Sequence, residues 1–328
     1  MSRLDAGAED LFPAAVCDGP RALMLEAREV PLGGVRAMHV RRMLPQRALP
    51  TVGAWCFLDR FGPQETIMRV EPHPHIGLQT VTWPYVGEVR HRDRLGSDVV
   101  IARGELNLMT SGDGISHSEY SLGDGPTPID ALQLWVALPD GVRVGAAAFE
   151  RHTDLPGGTL TDASGRAVGS FTVVMGELDG IRSPATTFTP IVGAEIVLEA
   201  GADVRVPLRA EWEHAILAVY GEAAVTAGPA GERVRIAGDH LLYLGTGRTE
   251  IAVATDTEAT LFVLGGEPFA EDIVMWWNFV ARGHDEIVRA REDWESGSDR
   301  FGVVAGHDER IPAPPLPSVR LTPRRRQL

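Results

Sequence analysis

Lysine is missing altogether: all 31 basic side chains of this 328-residue chain are arginine. That rules out a Schiff-base lysine and the ammonium of a phosphate-binding loop as sources of activity. Cysteine is almost as scarce, with only Cys17 and Cys56, outside any Cys-x-x-Cys spacing. Neither a disulfide framework nor a thiolate zinc site is indicated, and a reducing cytoplasm suits the composition. Positive charge is not in excess either. The formal net charge of -14 and pI ≈ 5.2 argue against direct contact with nucleic acid or an anionic membrane, since polyanions are bound by concentrated basic faces. No apolar run approaches membrane-spanning length, and the start, MSRLDAGAEDLFPAAVCDG, is acidic and broken by proline, unlike a signal peptide. The chain reads as soluble and cytoplasmic.

What is abundant is punctuation. The 36 glycines and 23 prolines separate short runs rich in valine, isoleucine and threonine, which predicts mostly β structure with little helix. The length accommodates two domains. A loosely ordered leader is expected over 1–20. A first domain follows over 21–155 and a second over 156–300, joined near the Gly-rich 155–158 stretch, with a Pro- and Arg-rich tail over 301–328. The 35–42 segment (VRAMHVRR) reads as a strand carrying a structural His39, 55–59 (WCFLD) as a buried strand, and 131–138 (ALQLWVAL) as another. The 285–294 segment (DEIVRAREDW) is amphipathic at helical spacing with Asp285 as N-cap, placed between the domains. The tail is expected to be extended and solvated.

Two tight pairs stand out, His73/His75 and His117/Glu119. Side chains two apart in a strand share a face, so each pair can aim at one point. Three neutral imidazoles and a carboxylate suit a divalent transition metal and leave coordination positions free. His91 and Asp93 form a similar pair on another strand, where a solvated or structural role is expected first and support of a metal ligand second. His214 reads as a core or barrel-mouth histidine, His152, His240, His284 and His307 as isolated, and Trp276 and Trp277 as packing residues.

A weak internal repeat runs through the chain. Gly87-Glu88 and Gly104-Glu105 have counterparts in Gly221-Glu222 and Gly238-Asp239, and VTWPYVGEV matches AILAVYGEA in kind. Counting from these glycines puts His117 and Glu119 opposite Ile251 and Val253, and His73 and His75 opposite Pro207 and Arg209. The second half is therefore expected to repeat the architecture without the ligands.

The stretch PHPHIGLQTVTWPYVGEVRHRDRLGSDVVIARGELNLMTSGDGISHSEYS resembles the pirin family, a branch of the cupin superfamily, whose pattern runs HPHRGFET, GEVEHRDS, a Gly-Asp or Gly-Glu, then MTAGRGIVHSE. LGGEPFAEDIVMWWNFVARGHDEIVRAREDW is similar to the close of the family's C-terminal domain. The resemblance implies an all-β bicupin: two antiparallel β-barrel or jelly-roll domains with a few short helices, and one divalent metal in the first. It assigns as ligands His73, His75, His117 and Glu119. Fe(II) is the first expectation; Mn, Co, Ni, Cu and Zn are also accepted by such a donor set. Family members are known as iron-binding proteins, some of which open quercetin oxidatively while others act as redox-sensitive regulators through protein partners. The implied function is a metal-dependent dioxygenase, quercetinase-like, taking dioxygen and a flavonol-like or other enolisable small molecule, with Glu119 as catalytic base. The alternative is a non-catalytic, redox-sensitive iron-binding regulator with a protein partner. A monomer is expected. Ile76 stands where the family has arginine and Gln79 where it has glutamate, replacing a charged pair beside the expected site.

Overall fold

A computed structural model of the chain describes residues 19–32, 38–228 and 231–327. Cys17 and the beginning of the expected 35–42 strand lie outside them. The first half contributes β1 (Pro20–Glu26), β2 (Arg28–Leu32), β3 (Met38–Leu44), β4 (Trp55–Thr66), β5 (Arg69–His75), β6 (Leu78–Val86), β7 (Val89–Asp93), β8 (Asp98–Ile101), β9 (Leu106–Thr110), β10 (Ile115–Ser121), β11 (Thr127–Ala137) and β12 (Ala148–His152). The second contributes β13 (Gly157–Thr161), β14 (Ala167–Leu178), β15 (Ile181–Arg182), β16 (Ile191–Leu198), β17 (Asp203–Pro207), β18 (Glu213–Tyr220), β19 (Ala223–Thr226), β20 (Arg233–Ile236), β21 (His240–Gly245), β22 (Glu250–Ala254), β23 (Ala259–Gly266), β24 (Val274–Trp276), β25 (Phe279–Ala281) and the helix α1 (His284–Ser296).

These strands make two cupin-like jelly-roll domains. In the first, a four-stranded sheet in the order β5-β10-β7-β8 faces a larger one, β12-β9-β6-β11-β4-β3-β2. In the second, β17-β22-β19-β20 faces β1-β21-β18-β23-β16-β14-β13, with β15 attached to β14. The two orders correspond strand for strand, so the repeat read from the glycine spacing is a structural one. The sheets stay open, and neither domain closes into a barrel. One edge strand crosses over: β1, early in the chain, completes the second domain's large sheet, while β12, from the first half, completes the first domain's.

Burial explains the two kinds of strand sequence. The large sheets pack back to back through Val81, Trp83, Leu132 and Leu134 on one side and Val174, Leu217, Tyr243 and Phe262 on the other. Covered on both faces, β6 and β18 are buried nearly throughout, including their polar Gln79, Thr80, Thr82, Glu213 and His214. The half-covered β17 and β22 alternate. Polar ties cross the same interface. Trp55 Nε1 donates to the carbonyls of Val192 and Gly265, and Trp83 Nε1 donates to Glu195.

Beyond β23 the chain turns back onto the first domain. The β24–β25 hairpin lies against Ile76, and α1 buries Ile287, Ala290 and Trp294 in the apolar cluster that also holds Ile76, Phe279 and Phe301. The helix thus covers the first domain's end. Its N-cap is Gly283, with no side-chain cap, while Asp285 sits in the first turn and pairs with Arg320. The tail differs from a solvated one. Ile311 N–H donates to the Pro72 carbonyl, Ala313 is buried, and Arg326 pairs with the fully buried Glu213. Proline predicts the extended backbone but carries no signal for the apolar positions, Ala313, Leu316 and Leu321, that hold it against the helix. No helix among the described residues is long and apolar enough to cross a membrane.

Candidate metal centre

Sheet register assembles the site. His73 lies directly across from His117 in the β5–β10 pairing, and Glu119 directly across from His91 in the β10–β7 pairing. His75 shares the face of His73, and Asp93 that of His91. A bulge between His117 and Glu119 on the β5 side interrupts the ladder. Ligand atoms of His73, His75 and His117 lie within 4.8 Å of one another, and so do those of His91, His117 and Glu119. The structure therefore brings the four expected ligands onto one face, with His117 common to two triads and His91 as an added member.

The imidazoles are almost completely enclosed, His117 being 1 % exposed. Burial drives their pKa values down, to about 4 for His73 and well below the ordinary value for His75 and His117, where neighbouring histidines add to it. They are neutral at physiological pH, the state a metal requires. His73 Nδ1–H donates to the Glu71 carbonyl at 2.9 Å and His75 Nδ1–H to the Asn278 carbonyl at 3.1 Å. A carbonyl can only accept, so each ring keeps its lone pair on Nε2. His117 Nε2 is buried with no hydrogen-bond partner, while its Nδ1 lies 3.3 Å from His91 Nδ1. A converging set of buried imidazole nitrogens, one of them without any partner, fits a divalent ion in its donor chemistry.

Glu119 is partly buried and accepts from the Thr82 hydroxyl at 3.2 Å; Thr82 is also 3.0 Å from Gln133 Oε1. Burial raises the Glu119 pKa, against smaller opposing effects of His91 and Thr82. Burial would also raise Asp93, but hydrogen bonds from His91 and Ser97 prevail and its carboxyl sits below its ordinary value. From the facing sheet, Trp135 meets His75 edge-on at 5.2 Å and stacks on Phe57 at 4.0 Å; Arg42, paired with Asp59, covers Phe57 at 4.5 Å. This column and Thr82 have no motif. The alternation of β6 and β11 places Thr82, Gln133 and Trp135 on the inward face and is the only signal that could have found them.

The second domain's equivalent space is apolar. Val206 pairs with Ile251, and Val253 pairs with both Val204 and Val225. Hence Ile251, Val253 and Val225 take the places of His117, Glu119 and His91, and they are packed in a hydrophobic core. The counterpart of His73 is Val206, one position from the Pro207 expected by counting back from the glycine. The connection β17–β18 is longer than the two-residue β5–β6 turn, so the count slips there.

Ile76 and Gln79 do not form a pair beside the centre. Ile76 joins the cluster under α1, and Gln79, fully buried, donates to the Thr110 hydroxyl and the Thr186 carbonyl on the other face of β6. His214 is a core histidine, His39 is exposed, and Trp276 and Trp277 pack with Phe279. Cys56 is buried and free, its thiol pushed up to about 12 by burial and inert.

The profile of the Pirin family matches residues 37–136, and that of the Pirin C-terminal cupin domain matches 193–302. A Pseudomonas aeruginosa protein provisionally named quercetin 2,3-dioxygenase is 40% identical over 296 residues, 89% of each chain. A pirin-like protein of Caulobacter vibrioides is 33% identical over 308 residues, 89% of this chain and 99% of the relative. This chain belongs to the pirin family. Among solved pirin-fold structures, the crystal structure of a quercetin 2,3-dioxygenase from Acinetobacter baumannii superposes with a TM-score of 0.83 at 37% identity, covering 92% of this chain and 97% of that one.

Proposed function

We propose that this pirin is a metal-dependent dioxygenase, with His73, His75, His117 and Glu119 holding one divalent ion, Fe(II) before Mn, Co, Ni, Cu or Zn. The observation that carries the reading is the set of three enclosed, neutral imidazoles whose ring nitrogens meet, with a carboxylate on the same sheet face. The relatives named for quercetin 2,3-dioxygenase support the reaction class and a flavonol-like or other enolisable substrate. The ion, when bound, supplies Lewis-acid polarisation of an enolic oxygen and redox chemistry toward dioxygen. The side chains do the rest. Glu119, its proton affinity raised by burial, accepts the substrate's hydroxyl proton at Oε, and the Thr82 hydroxyl holds that carboxylate in place. The Trp135–Phe57 stack walls the pocket from water and fixes the His75 ring.

Metal analysis of protein purified without added metal, followed by oxygen uptake with quercetin and a panel of enolisable compounds, tests the proposal. His75→Ala should lose both metal and turnover. Glu119→Gln, loaded with metal through the three remaining histidines, should lose roughly 10²–10⁴-fold in rate per metal bound, the usual worth of a positioned acid-base group. Stoichiometric metal in His75→Ala would remove the ligand assignment. A fully metallated parent that consumes no oxygen with any of the panel would remove the dioxygenase reading and leave the binding site.

A further inference from the structure

The Asp93 carboxylate has its acceptor sites occupied: Oδ1 takes the backbone N–H groups of Leu95 at 2.8 Å and Ser97 at 3.1 Å, and Oδ2 lies 3.1 Å from His91 Nε2. A carboxylate cannot donate, so the proton between Oδ2 and Nε2 belongs to His91. In the tautomer with its proton at Nε2, His91 presents a lone pair at Nδ1, 3.3 Å from His117 Nδ1, and His117 is the donor there. The remaining nitrogen, His117 Nε2, is left with its lone pair. That is the buried atom with no partner, in a ring 4.3 Å from His73 and 4.9 Å from His75 between centroids. The His91 plane is held by Phe149, stacked at 4.5 Å.

We propose that Asp93 and His91 are positioning residues that set the tautomer of His117, so that Nε2 faces His73 and His75 able to accept a metal. The inference rests on the reading of His117 as a ligand. Its logic is directional: reversing the proton at Asp93 reverses every proton along the line and puts an N–H where the ion should sit. The second domain carries Val225 at the position of His91 and Ile251 at that of His117, so the line is absent where no imidazole needs orienting.

Asp93→Asn is the decisive variant. Its Oδ1 still accepts from Leu95 and Ser97, which turns the new amide N–H₂ toward His91 Nε2 and imposes the wrong tautomer on both histidines. Metal affinity, measured by competition with a chromophoric chelator, should fall 10–100-fold, the range for lost outer support of a ligand. His91→Ala leaves His117 free to choose and should lose less than Asp93→Asn, and the double variant should return to the His91→Ala value. Nitrogen-15 histidine spectra of the metal-free parent should show His117 protonated at Nδ1, a readout independent of any variant's folding. A His117 protonated at Nε2 in the parent, parent-like affinity in Asp93→Asn, or a larger loss in His91→Ala than in Asp93→Asn would overturn the proposal, the last by making His91 a direct ligand. If His117→Ala binds metal like the parent, the ligand reading has failed and takes this inference with it. If His117→Ala loses metal while Asp93→Asn does not, the inference fails alone.

Discussion

His214 shows what a buried imidazole costs where no metal is in question. It is 2 % exposed in β18, with its pKa lowered to about 4 by burial, partly opposed by the Trp212 carbonyl. Above pH 6.5 it is neutral in the folded and unfolded chain alike and contributes nothing to pH dependence. Between about 6.5 and 4 the unfolded chain takes up a proton that the folded chain refuses, so stability falls as pH falls, by about 2 kcal/mol at pH 5 from this residue. Urea unfolding at pH 7 and pH 5, with chelator present throughout, measures it. His214→Leu should show a smaller difference between the two pH values than the parent, whatever its absolute stability. An unchanged difference would mean that His214 is protonated in the fold.

At the level of elements, β10 does the organising, because one strand between β5 and β7 can set three histidines and a carboxylate in register. This much was legible in the sequence: the i, i+2 spacing within β5 and within β10 is local, and a strand makes it a shared face. The links between strands were not. His91 joins the centre only through the β10–β7 register, and the acceptor that orients His75 is a backbone carbonyl at Asn278, 203 positions away, which no side-chain pattern encodes. The turn that admits it is Gly77. Its φ of +68° favours glycine, and a Cβ there would stand 2.1 Å from the Val280 carbonyl. Gly77→Ala should therefore push the β24–β25 hairpin off β5, at about 1–2 kcal/mol for the backbone conformation alone and more for the clash. A lowered melting temperature together with weakened metal binding is the expected outcome, since His75 loses the Asn278 carbonyl. Loss of stability with unaltered affinity would show that the hairpin supports the fold but not the ligand.

Across the whole molecule, the two jelly rolls share one apolar interface and are also joined by a buried ionic knot. Arg60 pairs with Asp130 at 2.6 Å, both almost fully enclosed, donates to the Val219 carbonyl of the second domain, and lies over the Tyr220 ring, whose hydroxyl donates to Asp130. Asp130 thus collects donors from both domains at a fully buried position. Removing it leaves a guanidinium buried against a single carbonyl, and breaking such a pair costs about 3–5 kcal/mol. Removing only the hydroxyl, in Tyr220→Phe, takes away one charge-assisted hydrogen bond and should cost about 1.5–3 kcal/mol. Because the interface core is continuous through both large sheets, the domains are expected to unfold together. Far-UV circular dichroism, which reports both, and metal release, which reports the first, should trace one urea transition in the parent. Asp130→Ala should move that transition to lower urea while metal bound per folded molecule stays unchanged, as β11 meets the centre with its other face. Two separate transitions in the parent, or an unshifted midpoint in Asp130→Ala, would show that the apolar interface holds the halves together without the knot.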